Sequence, residues 1–138
     1  MSKVIIFQND NGGVATCIPT GEISIEAVLE KDVPKGRGGR IVENTELPFN
    51  DQDFYDAWEM DEESVWVSLP KAKEITKNRL RQERAPLLAA LDVQFQRALE
   101  EGKPTTAIVA EKTRLRDITD LADGCTTTAE LRALTVEA

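Results

Sequence analysis

The architecture of the chain follows from residues 86–124, which read PLLAALDVQFQRALEEGKPTTAIVAEKTRLRDITDLADG. Large apolar residues recur at three- and four-residue spacing on both sides of the central Gly-Lys-Pro, as they do along one face of a helix. These residues are Leu88, Leu91, Phe95 and Leu99 before the turn and Ile108, Leu115, Ile118 and Leu121 after it. Gly102 is typical of a helix end, and Thr105 is suited to cap the next helix. Because the connector is short, the two helices should fold back as an antiparallel hairpin.

The first of these helices should begin near Pro70, where the composition changes to Ala, Leu, Lys, Arg and Glu. A proline suits the first helical turn, because an N–H there would have no helical acceptor. Pro86 lies inside the same run, where a proline removes a hydrogen bond and clashes with the preceding turn. We therefore expect a kink or a break around Arg84 and Ala85.

The end of the chain carries the signal of one more short helix. Thr127 and Glu130 have the spacing of a capping box, in which each residue's side chain accepts a backbone N–H near the other. A helix containing Leu131 and Leu134 should therefore close the open end of the hairpin. Residues 70–138 are predicted to form a helical hairpin with this short terminal helix.

Residues 1–69 have the pattern of a small α+β domain. Two β-type runs, 4–7 and 14–19, flank turn-forming Asn, Asp and Gly residues and predict a hairpin with a wide turn. Ser24 can cap a short helix over 25–31, because its hydroxyl can accept a free N–H of the first turn. The apolar stripe of that helix should lie on the hairpin.

A second hairpin is predicted further along this domain. Residues 54–60 and 64–69 alternate large apolar with polar residues, and 61–63 is an acidic spacer between them. The glycine-rich segment 35–40 favours a solvated connector, with an anion site formed by its arginines as the alternative. The expected fold class is α+β: a small N-terminal antiparallel β-sheet with one short helix, followed by a C-terminal antiparallel helical hairpin.

The charge of the chain excludes some partners. Twenty-five acidic and seventeen basic residues give a formal charge of -8, which should repel nucleic acid. Residues 43–63 hold nine acidic side chains and no Lys or Arg, with most of the protein's aromatic residues in and just after this stretch. The segment predicts either a solvated acidic face or a protein-binding patch, for which Phe54, Tyr55 and Trp58 are the candidate contact residues.

Catalytic and metal-binding motifs are not recognisable in the sequence. The absence of His removes Ser-His-Asp triads and most zinc sites, and Cys17 and Cys125 have no neighbouring cysteine ligands. Ion binding or carboxylate catalysis through Asp51, Asp53 or Asp56 is the alternative, although their spacing differs from that of a calcium loop. We therefore expect two reduced thiols and no catalytic residue, cofactor or metal.

Membrane insertion and secretion are not expected either. The sequence has no apolar stretch of the roughly 20 residues that a membrane helix needs. The N-terminal run of residues 1–7 lacks the apolar core and cleavage site of a signal peptide. These patterns predict an intracellular protein.

A basic block follows the acidic stretch directly. Its members are Lys71, Lys73, Lys77, Arg79, Arg81 and Arg84. One interpretation is a helix that lies on the acidic hairpin or presents a solvated charged face. The other is oriented docking to a second copy or another protein, since complementary charge patches fix the orientation of two partners.

The segment 71–92, KAKEITKNRLRQERAPLLAALD, resembles a signature common in small proteins of tailed bacteriophages and prophages. Its core is also similar to the helical module of phage tail assembly chaperones, and consists of Arg81, Arg84, Leu87, Leu88 and Asp92. The Trp that usually follows this Asp is Val93 here. The resemblance covers roughly the last half of the chain, where 95–100, 108–110, 115–119 and 126–131 continue it.

The resemblance implies a non-enzymatic phage protein that binds tail proteins, as a tail assembly chaperone or a minor tail component. Binding to copies of itself is expected if the apolar stripes exceed what one hairpin can cover. Its contact residues would be Arg79, Arg81, Arg84, Leu88 and Asp92, together with the aromatic residues of the acidic stretch. The expected location is the host cytoplasm during assembly and, for a structural role, the virion tail. A phage-encoded inhibitor or modulator of a host protein is the alternative function.

Overall fold

The computed structural model describes residues 3–137, so Met1 and Ser2 of the N-terminal run and Ala138 lie outside the described residues. The chain divides into two compact units, Met1–Lys71 and Ala72–Ala138. Unit 1 combines a small antiparallel sheet with one short helix, and unit 2 is helical. The predicted α+β fold class is confirmed.

The main sheet of unit 1 has three antiparallel strands in the order β2-β1-β3. Their bounds are Lys3–Gln8 for β1, Val14–Cys17 for β2 and Arg40–Glu43 for β3. The wide turn of the first hairpin is confirmed, and Asn9 stabilises it by accepting the N–H groups of Asn11 and Gly13 on its Oδ1. An Asn side chain can satisfy turn N–H groups in this way because it is short and polar.

The third strand is a feature that the sequence analysis missed. The predicted connector ends at Arg40, which is the first residue of β3, and Ile41 and Val42 pair with Ile5 and Val4 of β1. Only two β-branched residues mark this strand, and its partner β1 lies far from it in the sequence. No local periodicity therefore indicates it.

The helix α1, Ile25–Asp32, lies on one face of this sheet, as predicted. Ser24 caps it by accepting the N–H of Ala27 at 3.2 Å. Val28 packs with Ile5 in a small apolar core. The stripe of α1 therefore covers the first hairpin.

The opposite face of the sheet is covered by a second hairpin, formed by β4 (Trp58–Met60) and β5 (Val65–Val67). Trp58 packs there against Val4 and Ile6. The hairpin is confirmed, but the strand expected over 54–57 is wrong.

Phe49–Ala57 forms 3₁₀ turns in place of that strand. The segment is rich in Asn and Asp, which favour turns over strands. Phe54 and Ala57 are both buried, and residues three apart lie on the same side of a 3₁₀ helix. The burial therefore follows a period of three, whereas the strand prediction assumed a period of two.

Unit 2 contains the predicted helical hairpin and the short helices that follow it. The bounds are Leu69–Glu101 for α2, whose first residues belong to unit 1, Thr106–Asp117 for α3, Asp120–Asp123 for α4 and Thr128–Ala133 for α5. Gly102 ends α2 with a φ of 69°, as expected of a C-terminal glycine.

Of the kink or break expected at Pro86, the break is wrong, because α2 is continuous through this residue. Arg84, before the proline, donates to the Arg116 carbonyl of α3 at 2.8 Å. Asp92, after the proline, forms an ion pair with Lys112, which also belongs to α3. Contacts with one neighbouring helix on both sides of Pro86 offset the loss of a single helical hydrogen bond.

The two predicted helix caps have different outcomes. Thr127 accepts the N–H of Glu130 on its Oγ1 at 3.1 Å, so the cap of α5 is confirmed. Thr105 makes no side-chain cap to α3. Its backbone is already helical, with φ -109° and ψ -1°, whereas a capping side chain needs an extended backbone to reach the free N–H groups.

Candidate interaction surface

Three basic side chains of α2 bind the carboxyl ends of the three later helices. Lys73 donates from Nζ to the Asp123 carbonyl of α4 at 3.0 Å. Arg79 donates to the carbonyls of Leu131 and Leu134, at 3.2 and 2.8 Å, where α5 ends. The last carbonyls of a helix lack helical partners and carry partial negative charge. A cationic side chain therefore stabilises each end both by hydrogen bonding and by electrostatic attraction.

Arg84 does the same for α3. Its Nη1 donates to the carbonyls of Leu115 and Arg116 at 3.2 and 2.8 Å. Together with Lys73 and Arg79, this residue makes the first half of α2 a support for the rest of the unit. The spacing of basic residues in the sequence gave no signal of this role, because the carbonyls that they bind are 31 to 55 residues away.

An ion pair strengthens the same region. Lys77 Nζ lies 2.7 Å from Asp123 Oδ1, and this hydrogen bond lowers the pKa of Asp123 and raises that of Lys77. At the neighbouring helix, hydrogen bonds from Thr126 and then Thr127 lower the pKa of Glu130. These charged groups fix α4 and the start of α5.

The structure places the predicted contact residues of α2 in two different settings. Arg79 and Arg84 are half-buried and bind carbonyls within unit 2. Arg81 is exposed and donates to Oδ1 of Asn78 at 2.6 Å. Leu88 is half-buried and Asp92 is exposed, both beyond Pro86. Their role in partner binding stays a prediction.

The part of unit 2 beyond Arg84 is a two-helix projection, which we call the distal arm (residues 85–114). Asp92 Oδ1 of α2 and Lys112 Nζ of α3 are 2.5 Å apart. The same Lys112 ammonium lies 5.2 Å from the centre of the Phe95 ring, a favourable cation-π position. Because Arg84 contacts residues 115–116 and Asp92 contacts 112, the two helices run antiparallel.

The distal arm leaves large apolar side chains exposed. Among its described residues, only Ala98 is buried. Four large apolar side chains are more than 40% exposed, namely Leu87 at 42%, Val93 at 51%, Leu99 at 55% and Val109 at 45%. Leu99 was predicted to lie within the hairpin seam, but Ala98 occupies that position and Leu99 lies at its edge.

The aromatic residues that were predicted to contact a partner lie mostly inside unit 1. Phe54 and Trp58 are 4% and 2% exposed. The Trp58 indole N–H donates to the Asp51 carbonyl at 3.1 Å. Tyr55 is half-buried, with its hydroxyl 3.2 Å from that of Thr16 and its ring against Trp58. Phe54 and Trp58 therefore belong to the core of unit 1, beneath its surface.

The exposed aromatic side chains of unit 1 are ones that the sequence analysis did not select. Phe49 and Trp66 are each 41% exposed. They neighbour acidic side chains that are also exposed, which are Glu46, Asp53, Asp56, Asp61, Glu62 and Glu63. Alternation in β5 gives the signal for Trp66, because its neighbours Val65 and Val67 face the core.

The arginines of segment 35–40 hold loops of unit 1 together. Arg37 forms an ion pair with Asp10. Arg40 donates to the carbonyls of Asp61 and Ser64, at the turn of the second hairpin. Hydrogen bonds from the N–H groups of Glu63 and Ser64 lower the pKa of Asp61 in this turn. These contacts favour the connector interpretation over an anion site.

The charge is unequally divided between the two units. Unit 1 contains fourteen acidic and six basic residues, which accounts for the whole formal charge of -8. Unit 2 contains eleven of each and is formally neutral. Attraction to nucleic acid phosphate is therefore weakest at unit 1.

The described residues also bear on metal binding, thiol chemistry and membrane insertion. Residues 3–137 contain no group of three or more His, Cys, Asp or Glu side chains placed to hold a metal ion. Cys17 and Cys125 are both free thiols, and burial raises the pKa of the Cys125 thiol. Within the described range, no helix combines the length and apolar character that crossing a membrane requires.

Comparison with protein-family models, curated proteins and solved structures finds no match to this chain.

Proposed function

We propose that this chain is a non-enzymatic bacteriophage protein that binds tail proteins, either as a tail assembly chaperone or as a minor tail component. The observation that carries the proposal is the exposed apolar surface of the distal arm, with Leu87, Val93, Leu99 and Val109. Large apolar side chains left exposed on one helix pair are candidate partner contacts, because their burial in a partner would remove them from water.

The rest of unit 2 supports this division of roles. Lys73, Arg79 and Arg84 bind carbonyls inside the unit and hold the helices that follow the arm. A rigid base of this kind presents the arm in one conformation, which lowers the entropy cost of binding. The resemblance of residues 71–92 to tail assembly chaperones provides the identity of the partner class.

Two measurements test the proposal. Mass spectrometry of purified virions should detect the chain if it is a tail component. It should not detect the chain if it is a transient chaperone. In both cases, affinity capture from infected cells should recover identified tail proteins, and Leu99→Glu in the distal arm should reduce that recovery at least tenfold. Recovery of tail proteins by neither the wild type nor any arm variant would contradict the proposal.

The alternative function is the inhibition or modulation of a host protein through unit 1. It is favoured by the exposed Phe49 and Trp66, which belong to a segment of the chain that also carries six exposed carboxylates, since acidic and aromatic side chains suit a basic groove. Capture of one host protein from uninfected cells, abolished by Trp66→Ala and unaffected by Leu99→Glu, would favour this alternative.

In the proposed function, the chain acts in the host cytoplasm during assembly, and in the virion tail if it is retained there. Its mechanism is the burial of protein surface, without a catalytic step.

A further inference from the structure

The register of the second hairpin determines which backbone groups of β5 bond to β4. In an antiparallel pair, residues whose backbone groups bond across the pair alternate with residues whose groups point away from it. The Asp61 N–H donates to the Ser64 carbonyl at 3.0 Å at one end, and the Ser68 N–H donates to the Ala57 carbonyl at 2.8 Å at the other. Residues 64, 66 and 68 therefore direct their backbone groups to β4.

The opposite edge of β5 is unpaired. The N–H and C=O groups of Val65 and Val67 point away from β4, and no residue in the range 3–137 bonds to them. Both side chains pack against the core, and both residues are half-buried. An edge with unpaired N–H and C=O groups can bond to a further extended segment, which is how some domains recognise peptides.

A cleft lies beside this edge. Glu63 and Val65 line it from the hairpin, and Val42, Glu46 and Leu47 line it from β3 and the turn that follows β3. Its volume of about 250 Å³ is below the roughly 300 Å³ at which small-molecule sites begin. The cleft therefore suits one side chain of an added segment better than a whole ligand.

The charge of the cleft is negative. Glu46 and Glu63 are both exposed, and neither forms an ion pair with a described residue. Arg40 also lines the cleft, where its guanidinium donates to the carbonyls of Asp61 and Ser64. Two carboxylates against one guanidinium leave an excess of negative charge. A basic side chain is therefore the complementary occupant.

The outer face of β5 adds an apolar contact. Trp66 lies between the two valines and is 41% exposed. Successive residues of a strand face opposite sides, so the residues of an added strand would alternately face the cleft and lie beside this ring. Aromatic and β-branched side chains pair favourably across neighbouring strands. The complementary segment therefore alternates basic with apolar residues.

The occupant comes from another protein. The basic block of this chain, which spans Lys71 to Arg84, is held in α2 as a helix and is not extended. A second copy of unit 1 is disfavoured, because each unit 1 carries a formal charge of -8 and the two copies would repel each other.

We propose that the edge of β5 binds an extended segment of a partner protein, alternating basic and apolar residues, as an added strand. The backbone groups of Val65 and Val67 pair with the segment. One of its Arg or Lys side chains enters the cleft beside Glu46 and Glu63, and an apolar side chain packs on Trp66. This surface belongs to unit 1 and does not depend on the binding role proposed for the distal arm.

Amide hydrogen exchange of the full chain, followed by NMR, tests the added strand. The probe is a short synthetic peptide of alternating Arg and Val. In the chain alone, the N–H groups of Val65 and Val67 should exchange faster than that of Trp66, which bonds to β4. Saturating peptide should slow exchange at both valines at least about tenfold. The same peptide with methylated backbone nitrogens keeps its charge, loses its donors and should not bind.

A proline at the edge tests the backbone contact separately from the side chain. Val65→Pro removes an N–H that points away from β4, and proline is tolerated at such edge positions. Titration of the peptide should show binding weakened at least about tenfold. Val65→Ala is the matched control: it keeps the N–H and should bind within about threefold of the wild type. Circular dichroism of both variants checks that they fold.

A charge reversal tests the cleft without changing the backbone. Glu63→Lys should weaken binding of the peptide at least about tenfold, because it gives the cleft a positive charge. Glu22→Lys makes the same change in total charge at an exposed carboxylate outside the cleft lining and should have less than about a threefold effect. A peptide of alternating Glu and Val should not bind to the wild type.

Four outcomes would overturn the inference. They are no binding of the Arg-Val peptide up to millimolar concentration, binding without slower exchange at Val65 and Val67, equal weakening by Glu22→Lys and Glu63→Lys, or protection of both valines in the chain alone that rises with its concentration. The last outcome would identify a second copy as the occupant. Capture of tail proteins and its loss in Leu99→Glu are measured separately, so failure of the peptide to bind leaves the proposed function standing.

Discussion

The two halves of α2 use similar residues in different ways. From Ala72 to Arg84, which we call the basal half, Ala72, Thr76 and Leu80 are buried and the basic side chains bind helix ends. Beyond Pro86, the helix is still apolar, but Leu87 and Leu99 are exposed. The difference teaches that an apolar stripe alone does not show what it contacts. The later helices determine which half of α2 has its apolar side chains buried.

The largest expected difference between the two halves is in stability. Leu80→Ala should lower the free energy of unfolding by about 2–5 kcal/mol, because Leu80 is fully buried and its truncation leaves a cavity. Leu99→Ala, at a 55% exposed position, should change it by less than about 0.5 kcal/mol. Urea unfolding monitored by circular dichroism measures both. Equal losses of unfolding free energy would show that Leu99 is as well packed in the arm as Leu80 is in the basal half.

The junction of the two halves provides the second test. Pro86→Ala should stabilise the chain by about 1–3 kcal/mol, because alanine restores an N–H that can donate to the Gln82 carbonyl of the continuous helix. Thermal unfolding measures the gain. Pro104→Ala, in the turn before α3, is the control and should be neutral or slightly destabilising. Loss of stability on replacing Pro86 would contradict the interpretation that this proline costs α2 a helical hydrogen bond.

The third test concerns the arginines of the basal half. Arg84→Met keeps much of the apolar stem but removes two hydrogen bonds to carbonyls of α3, and should cost about 1–2 kcal/mol. Arg81→Met, at an exposed arginine of the same helix, should cost less than about 0.5 kcal/mol. Chemical unfolding of the two variants compares them directly. A similar cost for both would remove the distinction between a supporting and a solvated arginine.

The smallest effect should appear in the pH dependence of the start of α5. The pKa of Glu130 is lowered from its ordinary value of 4.5, so its ionised form stabilises the folded state above that pH. This contribution is lost as the pH falls through the lowered pKa.

Glu130→Gln should therefore have a lower Tm than the wild type near pH 7, and the difference should shrink below pH 4.5. Thermal melts from neutral to acidic pH measure this effect. Glu22→Gln, at an exposed carboxylate of unit 1, is the control and should show a difference that is small at every pH. A Glu130 difference that grows towards acidic pH would show that the sign of the shift is wrong.

The sequence was informative where structure is set by neighbours along the chain. The helix end at Gly102, the cap at Ser24 and the cap at Thr127 all depend on spacings of a few residues, and the structure confirms them. Local patterns of this kind also gave the first hairpin and the shorter second one.

The features that the sequence did not predict depend on contacts between distant residues. Strand β3 is paired with β1, and α2 continues through Pro86 because both flanks contact α3. Arg79 was selected as a partner contact because its charge is visible in the sequence, whereas the carbonyls that it binds are not. The candidate surface proposed on the distal arm lies in the helix pair that the sequence predicted, while its exposed residues could be identified only from the structure.

The turn at Gly102, Lys103 and Pro104 joins the two helices at the tip of the arm, and all three residues are exposed. Insertions of seven residues before and after this turn would lengthen both helices by about 10 Å and keep nearly the same sides in register. The base held by the arginines would not change. The length of the arm can therefore be changed independently of the base from which it extends.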